Sequence, residues 1–230
     1  MRGLLAPKFS LQKALRVLCL ITLALAGTDA YAADTNAPIR ILAFGDSLTA
    51  GYGLADPAEA FPLQLEKALK DKGYNVTMLP GGISGDTTSG GRSRLDWSLE
   101  AKPDAVIVEL GGNDALRAID PKITAANLDV IVRRIQKAGL PVLIVGMLAP
   151  PNLGRDFEDR FNGVFPKLAA DTGAPLYPFF LEGAITVPDL MQNDRIHPNA
   201  KGVKVSVGKM MPAAEKLVAE VNARRAAAAK

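Results

Sequence analysis

Beyond its first forty or so residues, the chain alternates two kinds of stretch. The run at 39–44 is largely apolar, with little polar alternation; the runs at 105–110 and 142–148 are largely apolar, and shorter stretches at 75–79 and 175–180 continue the series. Such runs suit parallel strands covered on both faces, which have no solvent side to mark. Between them, apolar residues recur at three- and four-residue steps, as in Leu128, Ile131, Ile135 and Ala138, or Val203, Val207, Met210, Ala214, Leu217 and Val221. That period gives a helix one apolar face. Helices are predicted from Asp56-Pro57 to a stop at Gly73, over 88–101, ending at Gly139, over 157–170, and as a closing helix. Five strands alternating with helices predict an α/β fold with a single doubly wound parallel sheet. The alanine-rich residues from Arg224 to Lys230 have nothing to pack and are expected to fray.

The first run stops at Gly45-Asp46-Ser47. A serine just past the carboxyl end of a buried strand sits where open α/β sheets place their chemistry, which makes Ser47 the candidate nucleophile. Capping competes as an explanation, because Asp and Ser both satisfy free N–H groups at helix starts. The other end of the chain shifts the balance. Asp194-Arg195-Ile196-His197-Pro198 contains the only histidine of the sequence. A serine hydroxyl needs an imidazole base, and the base needs an acceptor that fixes its tautomer. Asp194 and His197 are three positions apart, so one turn of chain can bring carboxylate to imidazole.

Acyl transfer also requires donors aimed at a developing oxyanion. Gly85 can bring a backbone N–H close to a ligand, and the Asn113 amide is a neutral donor. Asp46 and Asp114 read as groups that fix loops through nearby N–H groups. Arg92, Arg94 and Trp97 read as surface and core residues, and Tyr177, Phe179 and Phe180 as packing. The order Ser, Asp, His is shared with the α/β-hydrolases, but their Gly-x-Ser-x-Gly elbow is missing at Ser47, which excludes that fold.

Gly45-Asp46-Ser47-Leu48, Gly85, Gly111-Gly112-Asn113-Asp114 and Asp194-x-x-His197, in this order, resemble the four blocks of the SGNH (GDSL) hydrolases. Further stretches at 83–87, 150–154 and 177–180 are similar to the bacterial branch of lysophospholipase L1, acyl-CoA thioesterase I and arylesterase. The likeness spans about residues 39–207. It implies a flavodoxin-like α/β/α sandwich with strand order 2-1-3-4-5. It also implies catalysis by Ser47, Asp194 and His197, and an oxyanion hole from the N–H groups of Ser47 and Gly85 with the Asn113 amide. Leu116, Ile119 and Leu153 would form the acyl-pocket wall. The implied reaction is hydrolysis of carboxylic esters or thioesters through an acyl-enzyme, without metal or cofactor, on small-molecule or lipid substrates. Contact with membrane lipid stays open. The alternatives are a carbohydrate or cell-envelope O-deacetylase of the same fold, and a non-catalytic binder of lipid or acyl groups.

Composition adjusts this picture at the amino end. Residues 1–32 carry Arg2, Lys8, Lys13 and Arg16, then an apolar run from Val17, then Ala30-Tyr31-Ala32. This is the pattern of a secretory signal peptide, with an apolar run too short for the roughly twenty residues of a membrane span. Cleavage after Ala32 would leave a hydrolase domain at 33–230 in the periplasm or medium. The leader takes four of the 27 Lys+Arg and one of the 24 Asp+Glu, leaving 23 against 23. The remainder is near neutral, which argues against a nucleic-acid partner. The one cysteine, Cys19, lies in the leader, so the mature chain is expected to use neither disulfides nor thiolate chemistry.

Overall fold

The computed structural model describes residues 37–229, and the leader expected at 1–32 lies outside them. Strand β1 (Ile39–Gly45) is buried at every position but Arg40. It pairs in parallel with β2 (Val76–Gly82) on one side and β3 (Ala105–Glu109) on the other. β4 (Val142–Val145) and β5 (Leu176–Tyr177) continue the parallel ladder, giving the order β2-β1-β3-β4-β5 that the resemblance implies. Pro80, which has no N–H to donate, falls on the edge strand β2, where a missing ladder bond is tolerated.

Helices cover both faces. Helix α1 (Ser47–Ala50) is a single turn after β1, and α2 (Phe61–Asp71) follows a 3₁₀ turn (Pro57–Glu59) capped by Asp56. α3 (Thr88–Leu99) follows β2, while α4 (Gly112–Leu116) and α5 (Pro121–Lys137) follow β3. α6 (Arg155–Asn162) and α7 (Val164–Thr172) precede β5, and α8 (Ala200–Ala228) closes the chain. α2 packs on α8, whereas α5 packs on α3 and α7. The T-shaped pair Phe61–Phe180, with centroids 5.2 Å apart, belongs to the core between the layers.

Four expectations change, the first being the strand expected over 142–148, which ends at Val145. The single helix expected over 157–170 is two, because Pro166 cannot donate to the Asn162 carbonyl and its ring crowds that turn, so the helix restarts at Val164. The strand expected over 175–180 keeps only two residues, since Pro178 has no N–H to extend the ladder. The expected frayed tail is helical through Ala228. Arg224 donates to Gly139 O, and Arg225 donates to the carbonyls of Ala37 and Pro38 and pairs with Asp104 at 2.8 Å. The alanines bury little, but the two arginines hold the last turns against the start of β1.

Candidate active site

Ser47, Asn113 and His197 line one cavity, with Asp194 bonded to His197 behind it. The capping explanation and the nucleophile reading turn out to concern different residues. Asp46 is the cap, its Oδ1 accepting the Leu48 N–H at 3.0 Å, and Ser47 occupies the first helical position of α1. The turn closes at Gly51, whose φ of 76° is a left-handed conformation suited to glycine. Ser47 is thereby held at the rim with its hydroxyl exposed to the partner loop.

That partner is the loop before α8. Ser47 Oγ lies 2.9 Å from His197 Nε2, and His197 Nδ1 lies 2.7 Å from Asp194 Oδ2. The other carboxylate oxygen, Oδ1, accepts the N–H groups of Ile196 and His197, both at 3.0 Å. With Arg195 in the left-handed region at φ 56°, Asp194 therefore shapes the loop and orients the imidazole at once. Burial pushes the Asp194 carboxyl up, but the hydrogen bonds from the His197 ring and the two backbone N–H groups outweigh it and hold the group below its ordinary value. Nδ1–H donating to a carboxylate leaves the Nε2 lone pair for the serine proton, the tautomer a general base needs.

Asn113 sits in α4, with its Nδ2 donating to Asp46 Oδ2 at 3.1 Å. An amide nitrogen carries two hydrogens, so one N–H remains for a ligand. Gly85 adopts φ 81°, its carbonyl accepts from Arg117 Nη2 at 2.8 Å, and Ile83 N–H donates to Gly45 O, which ties this loop to the end of β1. Asp114 fixes backbone as expected but reaches across the chain, accepting from Thr88 N–H, Thr88 Oγ1 and Thr124 Oγ1.

A cavity of about 420 Å³ opens beside Ser47 and His197. Leu116 lines it as expected, but Ile119 and Leu153 do not. Ile119 follows the left-handed Ala118 (φ 51°), which turns the chain into α5, and Leu153 ends a 3₁₀ turn beyond the wall. The wall comes instead from Met147, Leu148, Ala149, Pro150 and Pro151, with Phe179, Leu181 and Ile185 opposite. Phe179, expected to be packing, is therefore part of the pocket.

Two positioning contacts were not foreseen. Arg94 is not merely a surface or core residue: its guanidinium pairs with Asp86, donates to the carbonyls of Gly45 and Gly81, and lies 4.1 Å above the Phe44 ring. Trp97, one turn away, is 70% exposed. Gln192 bridges the segment after α1 and the loop of His197, its N–H donating to His197 O and its side-chain amide to the carbonyls of Tyr52 and Pro198. The Tyr52 ring rests on His197 with centroids 4.8 Å apart. Neither Arg94 nor Gln192 carries a local sequence signal, because most of their acceptors are backbone carbonyls, and those that join the loops, Gly45 O and Tyr52 O, lie tens of residues away.

A parallel α/β sheet with a serine, an imidazole and a carboxylate in series defines a hydrolase. The family described as GDSL-like Lipase/Acylhydrolase matches residues 43–205, and the chain belongs to it. It is 42% identical over 168 residues to an arylesterase of Vibrio mimicus, covering 72% of this chain and 83% of that protein. It is 39% identical to thioesterase 1/protease 1/lysophospholipase L1 of Escherichia coli (strain K12), covering 74% of this chain and 78% of that protein. The crystal structure of TesA superposes with a TM-score of 0.74 at 37% identity, covering 77% of this chain and 99% of that one.

Proposed function

We propose that this hydrolase cleaves carboxylic esters or thioesters of apolar acyl groups through an acyl-enzyme formed on Ser47. The observation that carries the reading is the relay from Ser47 Oγ through His197 to Asp194, at 2.9 and 2.7 Å, beside an apolar cavity. Ser47 Oγ attacks the carbonyl carbon while its proton passes to His197 Nε2. The negative oxygen takes the N–H groups of Ser47 and Gly85 and the free N–H of Asn113. His197 then returns the proton to the departing alkoxide or thiolate, and a water deprotonated by the same nitrogen releases the acid. Asp194 keeps the tautomer and stabilises the imidazolium.

The apolar walls favour an acyl chain over a polar carbohydrate, which ranks the O-deacetylase reading second. A purely binding role has no use for the relay. A panel of p-nitrophenyl esters, acyl-CoA and lysophosphatidylcholine, with Ser47→Ala as control, tests the assignment. Turnover that rises with acyl length from acetyl supports it, and preference for acetylated carbohydrate would replace it with the second reading. Asn113→Ala should lower kcat by about a hundred- to a thousand-fold with little change in KM, because the donor acts on the transition state. A change confined to KM would make Asn113 a binding residue only. We also read residues 1–32 as a cleaved export leader, which N-terminal sequencing of the periplasmic protein checks by finding Ala33 first.

A further inference from the structure

One buried acid near the site has no task in this mechanism. Glu109, the last residue of β3, is fully buried and in register with Gly45. A Cβ on Gly45 would stand 2.7 Å from Glu109 Oε2 and 2.0 Å from Thr49 Oγ1, so the carboxyl is packed directly beneath the turn that carries Ser47. Oε2 lies 2.7 Å from Thr49 Oγ1, and Oε1 has no hydrogen-bond partner among the described residues.

A second buried carboxyl, Asp46, shares this region at 1% exposure. Its two oxygens each accept an N–H, from Leu48 and from the Asn113 amide. Among the described residues, neither carboxyl is ion-paired. Arg94, reaching in from α3, ends on Gly45 O, Gly81 O and Asp86. Asp86, on the loop after β2, adds negative charge, and His197 is the one group of the last loop whose charge acts on Asp46.

We propose that Glu109 remains a neutral carboxylic acid in the working enzyme and is a positioning residue, bonding Thr49 beneath the nucleophile turn while Asp46 alone of the two carries charge and holds the Asn113 amide. This rests on the roles given above to Ser47 and Asn113. Of two buried carboxyls without a cation, the one whose charge is better solvated keeps it, and the other holds a proton. Asp46 has two N–H donors aimed at it. Glu109 has one hydrogen bond, from the Thr49 hydroxyl, while the backbone N–H groups of Asp46 and Thr49 act on it more weakly than burial does and Oε1 has no hydrogen-bond partner among the described residues. Burial first, and the Asp46 charge second, raise Glu109 well above an ordinary glutamate, against the Thr49 hydroxyl and the backbone N–H groups of Asp46 and Thr49. Burial also lifts Asp46, but only to about 6, so it is ionised at neutral pH. A charged Glu109 would set a second anion behind N–H groups that must face a developing oxyanion; the neutral acid avoids this.

The test is infrared spectroscopy with a pH series on the whole protein. At about pH 8, above the Asp46 titration, the wild type should show a protonated carboxyl C=O band that Glu109→Gln lacks. A raised acid makes stability fall with rising pH from its unfolded value of about 4.3 upward, so the Tm of Glu109→Gln should gain on wild type across that range. Glu109→Leu should lower kcat roughly ten- to a hundred-fold at constant KM, with most of the loss recovered in Glu109→Gln. No acid band at pH 8, a band that persists in Glu109→Gln, or parallel Tm curves would overturn the proposal. If the Glu109 variants do not fold, Asp46→Asn decides: removing that charge should move the band's titration to lower pH, and an unmoved band rejects the pair. Both the band and the Tm curves are read without substrate, whereas failure of the catalytic reading would show as activity surviving in Ser47→Ala.

Discussion

Ser47→Ala is expected to lose activity by on the order of a million-fold in kcat, with the fold and the cavity intact. The magnitude follows from the nucleophile and its base acting as one unit, so that loss of either leaves only what the oxyanion donors and binding supply. His197→Ala should cost a similar factor, and the double variant little more than either. Alanine at the first position of α1 keeps the turn, because Asp46, not Ser47, provides the cap. The measurement is kcat on a p-nitrophenyl ester, joined to peptide mass mapping after treatment with an organophosphonate. In the wild type the adduct should sit on Ser47 alone, since only a hydroxyl 2.9 Å from a free imidazole lone pair is activated to attack it. An adduct on another residue, or wild-type rates in Ser47→Ala, would remove Ser47 from the mechanism.

The parts of this site legible in the sequence are those whose position follows from strand ends and short spacing. Ser47 and Asn113 lie just past the buried runs of β1 and β3, and Asp194 and His197 are joined by a single turn. What stayed hidden depends on contacts between distant segments. Glu109 could have been flagged as an acid closing an otherwise apolar run, but its exchange with Thr49 spans sixty residues. Gln192 and Arg94 have no side-chain pattern to mark them, because apart from the Arg94–Asp86 pair the acceptors that join them to the site are backbone carbonyls. Ile119 and Leu153 rest on the resemblance alone, which cannot fix a loop's local path: one follows the left-handed Ala118 and the other ends a 3₁₀ turn, and neither lines the cavity. The tail failed for a related reason: helix propensity and apolar pattern say nothing of Arg225 reaching Ala37 and Asp104.

Asp194→Asn should lower kcat by up to about ten-thousand-fold, although the side chain is nearly isosteric and the aspartate is partly open to water. Solvent exposure softens the loss of charge, so the expected damage comes from geometry. Asp194 serves three donors: Oδ1 accepts two backbone N–H groups, and Oδ2 accepts His197 Nδ1–H. An asparagine has one acceptor to divide between them. Two backbone N–H groups outweigh one ring N–H, so the carbonyl faces Ile196 and His197 and the NH₂ faces the ring. An NH₂ there donates to Nδ1 and forces the ring proton onto Nε2, where it cannot accept from Ser47. The base is then present but in the wrong tautomer, and KM should hardly change. Stability should respond with the opposite sign to the raised acids. A carboxyl held below its ordinary value contributes stability above about pH 4, and this is lost as pH falls through the lower folded value. The Tm advantage of wild type over Asp194→Asn should therefore shrink on acidification below about pH 4. The tautomer itself is visible, because this chain has a single histidine whose two ring nitrogens can be followed by NMR. In the wild type the proton should reside on Nδ1 and in Asp194→Asn on Nε2; a variant that loses activity with the proton still on Nδ1 would place the carboxylate's contribution in its charge instead.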